Sequence, residues 1–172
     1  MPTRSRLNAA RVSYYGTQAY SFQPGPRRRV TGTRVLCVSR SQILLVKHEN
    51  RLTGEVYDVL PGGGREAGET FAEAGIREVC EETGLQVRII RLLRVPTRVP
   101  HVTYALFLAE PMEHGEPAPT VDLSREEYLR SAAWHHVSNA NPLGPLIPIF
   151  WDYLAPVIRR QIQNADRRDE TP

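Results

Sequence analysis

The chain has no apolar run of the roughly 18 to 20 residues that a membrane-crossing helix needs, so no helical anchor is expected. Nor does it open with an apolar stretch of the secretory-signal type. It holds two cysteines, Cys37 and Cys80, and neither has a partner at metal-type spacing. That argues against a zinc cluster or a disulfide framework. Two such thiols suit a reducing compartment, and the expected location is the cytoplasm. The first 48 residues lack acids altogether. They carry eight Arg and one Lys, a charge of +9, against −6 for residues 49 to 172, which hold 13 Arg and 19 acids.

What is there is one domain's worth of chain: 172 residues, 41% apolar and 24% charged, enough for a single core and too short for two ordinary ones. Gln23-Pro24-Gly25-Pro26 breaks regular structure. Residues 1–28 therefore read as a basic, flexible arm, 29–163 as the folded domain and 164–172 as a charged tail. The arm's composition also loosely resembles an organelle transit peptide, with weak amphipathicity.

Within the domain, Arg29 to Val38, Ile43 to Val46, Val56 to Leu60, Val87 to Val95, Val102 to Leu108 and Ala132 to Val137 read as strands. Thr70 and Glu73 have capping-box spacing, so a helix is expected from Thr70 to about Thr83, stopped by Gly84. Its apolar face is expected to carry Ala72, Ile76, Val79 and Cys80. Ile149 to Ile162 reads as a second amphipathic helix, kinked at Pro156. Strands, helix, strands, helix is the order of a mixed α/β sandwich.

Glu78, Glu81 and Glu82 fall at i, i+3 and i+4, which puts three carboxylates on one helical face. Such a cluster repels itself unless something neutralises it. A hard divalent cation does so, since carboxylate oxygens suit Mg²⁺, Mn²⁺ or Ca²⁺. Before the helix lies Pro61 to Glu69, with four glycines in nine residues, a loop whose backbone can approach a ligand closely. An isolated acidic helix face is more often a solvated surface.

The full spacing decides between these. Gly63, five residues, Glu69, seven residues, then Arg77-Glu78-Val79-Cys80-Glu81-Glu82-Thr83-Gly84-Leu85 resembles the Nudix box at each of nine defined positions over 23 residues. The resemblance implies an α+β fold, a Nudix-type α/β/α sandwich with a mixed sheet. It implies a hydrolase that cleaves the diphosphate linkage of a nucleoside diphosphate derivative or nucleoside triphosphate, ADP-ribose and damaged nucleotides included, with Mg²⁺ or Mn²⁺. By the same resemblance Glu78, Glu81 and Glu82 are metal ligands or handle the attacking water. Gly63 offers its carbonyl to a metal, and Arg77 pairs with Glu69 to hold loop against helix. Family members often add an acid from a distant loop; Glu126 and Glu127 are the candidates here, with Glu127 favoured.

Substrate selection lies outside the box. Pro100, about 16 residues beyond Gly84, resembles a mark of the ADP-ribose branch, and Tyr104 falls slightly beyond a tyrosine of the dinucleoside-polyphosphate branch. Arg51, Arg98 and Lys47 could face phosphates, and Tyr57, Phe107 or Trp134 could stack on a base. The expected partner is a small nucleotide, with no membrane. A nucleotide-sensing or RNA-binding module using the basic arm is the alternative, though no RNA-binding motif is visible.

Overall fold

Alternate residues of one central strand face two different cores, and that alternation sets the architecture. In the computed structural model, residues 11–13, 19–21, 30–94, 104–119, 127–137 and 148–169 are described. In chain order they form β1 Arg11–Ser13, β2 Ala19–Ser21, β3 Gly32–Ser39, β4 Gln42–Asn50, β5 Glu55–Val59, α1 Phe71–Thr83, β6 Val87–Leu93, β7 Tyr104–Pro111, β8 Glu127–His136 and α2 Pro148–Asp169.

The main sheet runs β5-β4-β3-β7-β6, with β8 also paired to β4. Strands β3 and β7 are parallel, while β4 is antiparallel to β5 and to β8, and β6 to β7. The sheet is therefore mixed, as expected. Successive side chains of a strand point to opposite faces. Val35 and Cys37 of β3 join Leu44, Val79, Leu85, Val87 and Ala109 in the core under α1. Leu36 and Val38 join Ile43, Leu45, Leu106, Leu108, Leu154 and Ile158 in the core under α2. One helix covers each face, which is the α/β/α sandwich expected from the box.

The elements depart from expectation in instructive ways. Strand β4 extends to Asn50, four residues past the apolar run that ends at Val46. Pairing with β5 on one side and β8 on the other supplies backbone partners whatever the side chains. Strand β8 likewise begins at Glu127, five residues before Ala132. Helix α2 continues through Asp169, so the segment expected as a charged tail is largely helical. Charged residues do not by themselves stop a helix, and neither Gly nor Pro occurs between residues 157 and 169; Arg167 donates back to the Gln163 carbonyl. Pro156 lies inside α2. Two short paired strands, Arg11–Ser13 and Ala19–Ser21, fall within the stretch read as the basic arm.

Beyond the turn at residues 38–43, β4 no longer pairs with β3. The glycine loop runs along β3 instead: Val35 N–H donates to the Pro61 carbonyl at 2.9 Å and Thr33 N–H to the Gly63 carbonyl at 2.8 Å. The divergence of two neighbouring strands thus seats the loop at the start of α1.

Candidate functional site

Helix α1 begins with reciprocal bonds. Glu73 N–H donates to Thr70 Oγ1 at 3.2 Å, and Thr70 N–H donates to Glu73 Oε2 at 2.7 Å. A cap of this kind contributes about 1 kcal/mol. At the other end Gly84 adopts φ 72° and donates to the Cys80 carbonyl. The buried face is Ala74, Gly75, Val79 and Thr83, rotated from the expected Ala72, Ile76, Val79 and Cys80. Gly75 lets the helix close onto β3, where a Cβ would meet Val35 Cγ2 at 3.0 Å. Thr83 is fully buried yet satisfied, donating to the Val79 carbonyl at 2.6 Å and accepting from Leu85 N–H. This rotation leaves Glu78, Glu81 and Glu82 on the face turned toward the glycine loop.

Arg77 ties that face together. Its Nε donates to Glu69 Oε1 at 2.8 Å and Nη2 to Glu69 Oε2 at 3.2 Å. Nη2 also donates to the Gly64 carbonyl at 3.0 Å, and Nη1 to Glu78 Oε1 and Glu81 Oε2 at 3.1 and 3.2 Å. A planar guanidinium with five donors suits such a hub. Glu69 takes a further bond from Glu66 N–H at 2.9 Å. The Arg77 bond and this backbone donor hold its carboxyl below the usual range. The pairing of Arg77 with Glu69 named from the box is thus formed.

Glu78 lies against the loop. A Cβ on Gly63 would meet its Oε1 at 2.5 Å, so the backbone and carboxylate occupy a space that only glycine leaves. Burial and the neighbouring Glu82 charge raise the Glu78 pKa, against the lowering effect of Arg77. Glu82 is held at both oxygens: Gly62 N–H donates to Oε2 at 2.8 Å, and His48 Nε2 lies 3.2 Å from Oε1. Gly62 has φ 141°, a conformation that favours glycine. The Glu81 side chain is 59% exposed at the rim. The Gly63 carbonyl accepts from Thr33 N–H, which leaves one lone pair for another partner.

Among the described residues no three His, Cys, Asp or Glu side chains converge on a ready-made metal cage. The donor set fits an open site instead, of the kind Mg²⁺ fills with one or two carboxylates and substrate phosphates. The partly desolvated, mutually repelling Glu78 and Glu82 would gain from such a cation.

The remaining candidates are scattered. Glu127 opens β8 with its backbone opposite Asn50, at the end of β4 that carries His48. Tyr104 packs with the core under α2, away from the box, because it shares the β7 face of Leu106 and Leu108. Arg51 lies over the Tyr128 ring, 5.7 Å from its centroid. Lys47 pairs with Asp58 at 3.2 Å. Tyr57 and Phe107 are buried, and Trp134 Nε1 donates to the Gly115 carbonyl at 2.9 Å. Arg98, Pro100 and Glu126 fall outside the described residues. His48 was not among the residues singled out. Its only sequence signal is a polar ring two residues past the strand expected to end at Val46.

Residues 26–158 match the NUDIX domain. The NAD-capped RNA hydrolase NudC of Photorhabdus laumondii is 37% identical over 107 residues, covering 62% of this chain and 37% of that protein. Its counterpart from Photobacterium profundum is 36% identical over 119 residues, 68% of this chain and 42% of that protein. The ADP-ribose pyrophosphatase of Methanocaldococcus jannaschii is 41% identical over 75 residues, 41% of this chain and 44% of that protein. The chain thus spans roughly two fifths of the length of these relatives, the matched stretch in each being 37% to 44%. Among solved structures, a NUDIX hydrolase from Nitrosomonas europaea superposes with a TM-score of 0.50 at 21% identity, over 74% of this chain and 90% of that one. That likeness concerns the fold.

Proposed function

This chain belongs to the Nudix family, and from that premise we propose that it hydrolyses the diphosphate linkage of a nucleoside diphosphate joined to a second group. The observation that carries the reading is the pair Glu78 and Glu82, held side by side by Arg77, His48 and the glycine loop. Glu78, Glu81 and Glu82 would hold Mg²⁺ or Mn²⁺, with the free lone pair of the Gly63 carbonyl turned to the same cation. When bound, a divalent cation activates water at neutral pH and offsets phosphate charge. Water adds across the P–O–P bridge: one bridging P–O bond breaks, a new P–O bond forms from the water oxygen, and a carboxylate receives the proton, Glu127 being the candidate from outside the box. Arg77 and Glu69 keep the loop closed on the helix while this happens.

The names of the relatives suggest the substrate class. NAD and ADP-ribose both contain a diphosphate esterified to adenosine, so a compound of this kind is the favoured substrate. The charge of +9 over residues 1–48 favours one attached to RNA, since Lys and Arg bind phosphate backbones in a salt-dependent way.

Phosphate or nucleoside monophosphate release is measured from NAD, NAD-capped RNA, ADP-ribose, dinucleoside polyphosphates and canonical and oxidised dNTPs. Each is run with Mg²⁺, Mn²⁺ or chelator, beside Glu82→Gln. Chelator-sensitive turnover that falls at least about 100-fold in the variant is the expected result. Turnover indifferent to chelator or to the variant would sink the reading. A preference for NAD-capped RNA over NAD that vanishes at high salt would mark the basic segment as an RNA contact.

A further inference from the structure

We propose that His48 is a positioning residue that fixes the carboxylate of Glu82 for its cation, a role that rests on the metal reading above. Glu82 sits 34 positions from His48 in sequence, yet His48 Nε2 lies 3.2 Å from Glu82 Oε1. A carboxylate has no proton to give, so the imidazole donates, and its proton resides on Nε2. The other oxygen takes the Gly62 N–H at 2.8 Å. Two donors from two different elements thus clamp both oxygens of one side chain.

The imidazole is itself held. His48 stands opposite Tyr57 on β5 and Leu129 on β8, and these cross-strand partners share its face. The Tyr57 ring lies 6.0 Å from the imidazole at 53°. Tyr57 is buried, and the His48 side chain is only 17% exposed. The preceding residue, Lys47, points the other way, to Asp58. Glu81, by contrast, has Arg77 as its partner and lies at the exposed rim. Among the box carboxylates, Glu82 is therefore the one clamped from the sheet, and a partner that orients a ligand commonly sets metal affinity by 10- to 100-fold.

Mn²⁺ binding to the full chain, read from the free-ion electron paramagnetic resonance signal without substrate, tests this. The variants are His48→Leu, His48→Asn, His48→Gln and Glu82→Gln, with thermal melting on the same samples. His48→Leu is expected to weaken Mn²⁺ about tenfold or more. His48→Gln keeps an amide donor at similar reach and should stay close to the parent, while the shorter Asn should resemble Leu. Loss of Mn²⁺ binding in Glu82→Gln with parental affinity in His48→Leu overturns the role of His48 and leaves the metal reading standing. Unchanged affinity in Glu82→Gln overturns the metal reading, and the inference falls with it. Should His48→Leu not fold, Gln and Asn decide: a weaker Asn variant supports the inference, and equal affinities overturn it.

Discussion

Arg77 and Glu69 meet through two parallel contacts, Nε to Oε1 at 2.8 Å and Nη2 to Oε2 at 3.2 Å. Through them the last residue of the glycine-rich segment is bound to the middle of α1. The same guanidinium reaches the Gly64 carbonyl, so loop and helix are joined at three atoms. Lysine offers a point charge without the fork. Arg77→Lys should therefore destabilise the fold by up to about 1.5–3 kcal/mol, the range for hydrogen bonds to charged groups, and lower turnover as well. A denaturant titration beside an activity assay checks both. An unchanged midpoint would contradict the clamp.

The same pair makes a pH prediction. The Arg77 bond, and after it the Glu66 backbone donor, lower the Glu69 pKa below its ordinary 4.5. A carboxyl lowered on folding stabilises the protein above the unfolded pKa, and that stability is lost as pH falls through the folded pKa. Glu69→Gln should melt earlier than the parent at pH 7, and the gap should narrow below about pH 4.5. Melting curves from pH 3 to 7 test this, and a gap that stays constant would rule it out.

Gly63→Ala addresses the close approach of loop and helix. The added Cβ would sit 2.5 Å from Glu78 Oε1, and the group that must yield is the far end of a flexible side chain. The expected result is a small change in melting temperature with a large loss of Mn²⁺ affinity and turnover. A variant that binds Mn²⁺ like the parent would show that Glu78 is not needed where the structure holds it.

The two thiols should differ sharply. Burial, with a smaller contribution from the Glu110 charge, pushes the Cys37 pKa up to about 12. Cys80 is partly exposed and accepts from Gln86 Nε2. Since the thiolate is the reactive form, a thiol reagent at pH 8 should modify at most one cysteine per folded chain, and both in denaturant. Rapid reaction of both in the native state would place Cys37 outside the core.

The box helix was legible because everything that defines it is local. Thr70 and Glu73 are three residues apart, and Gly84 follows the last turn directly. Its buried face was read less well. Gly75 and Thr83 carry little apolar signal, and they are buried because β3 and the Ala118 backbone lie against the helix. Strand ends were misread for a related reason. Lys47, His48 and Glu49 continue no apolar run, yet they extend β4 because two neighbouring strands take up their backbone groups.

The sequence by itself determined the capped helix, the carboxylate spacing and the glycines that must lie beside it, since helical periodicity and backbone freedom act over a few residues. Only the tertiary structure decided which partners meet those carboxylates. His48 reaches Glu82 because β4 leaves β3 after the turn and pairs with β5 and β8. Tyr104 is turned from the box by its place on the face of β7 that meets α2. Strand register and the covering of each sheet face by its own helix are settled by packing between distant segments, and no short stretch of the chain encodes them alone.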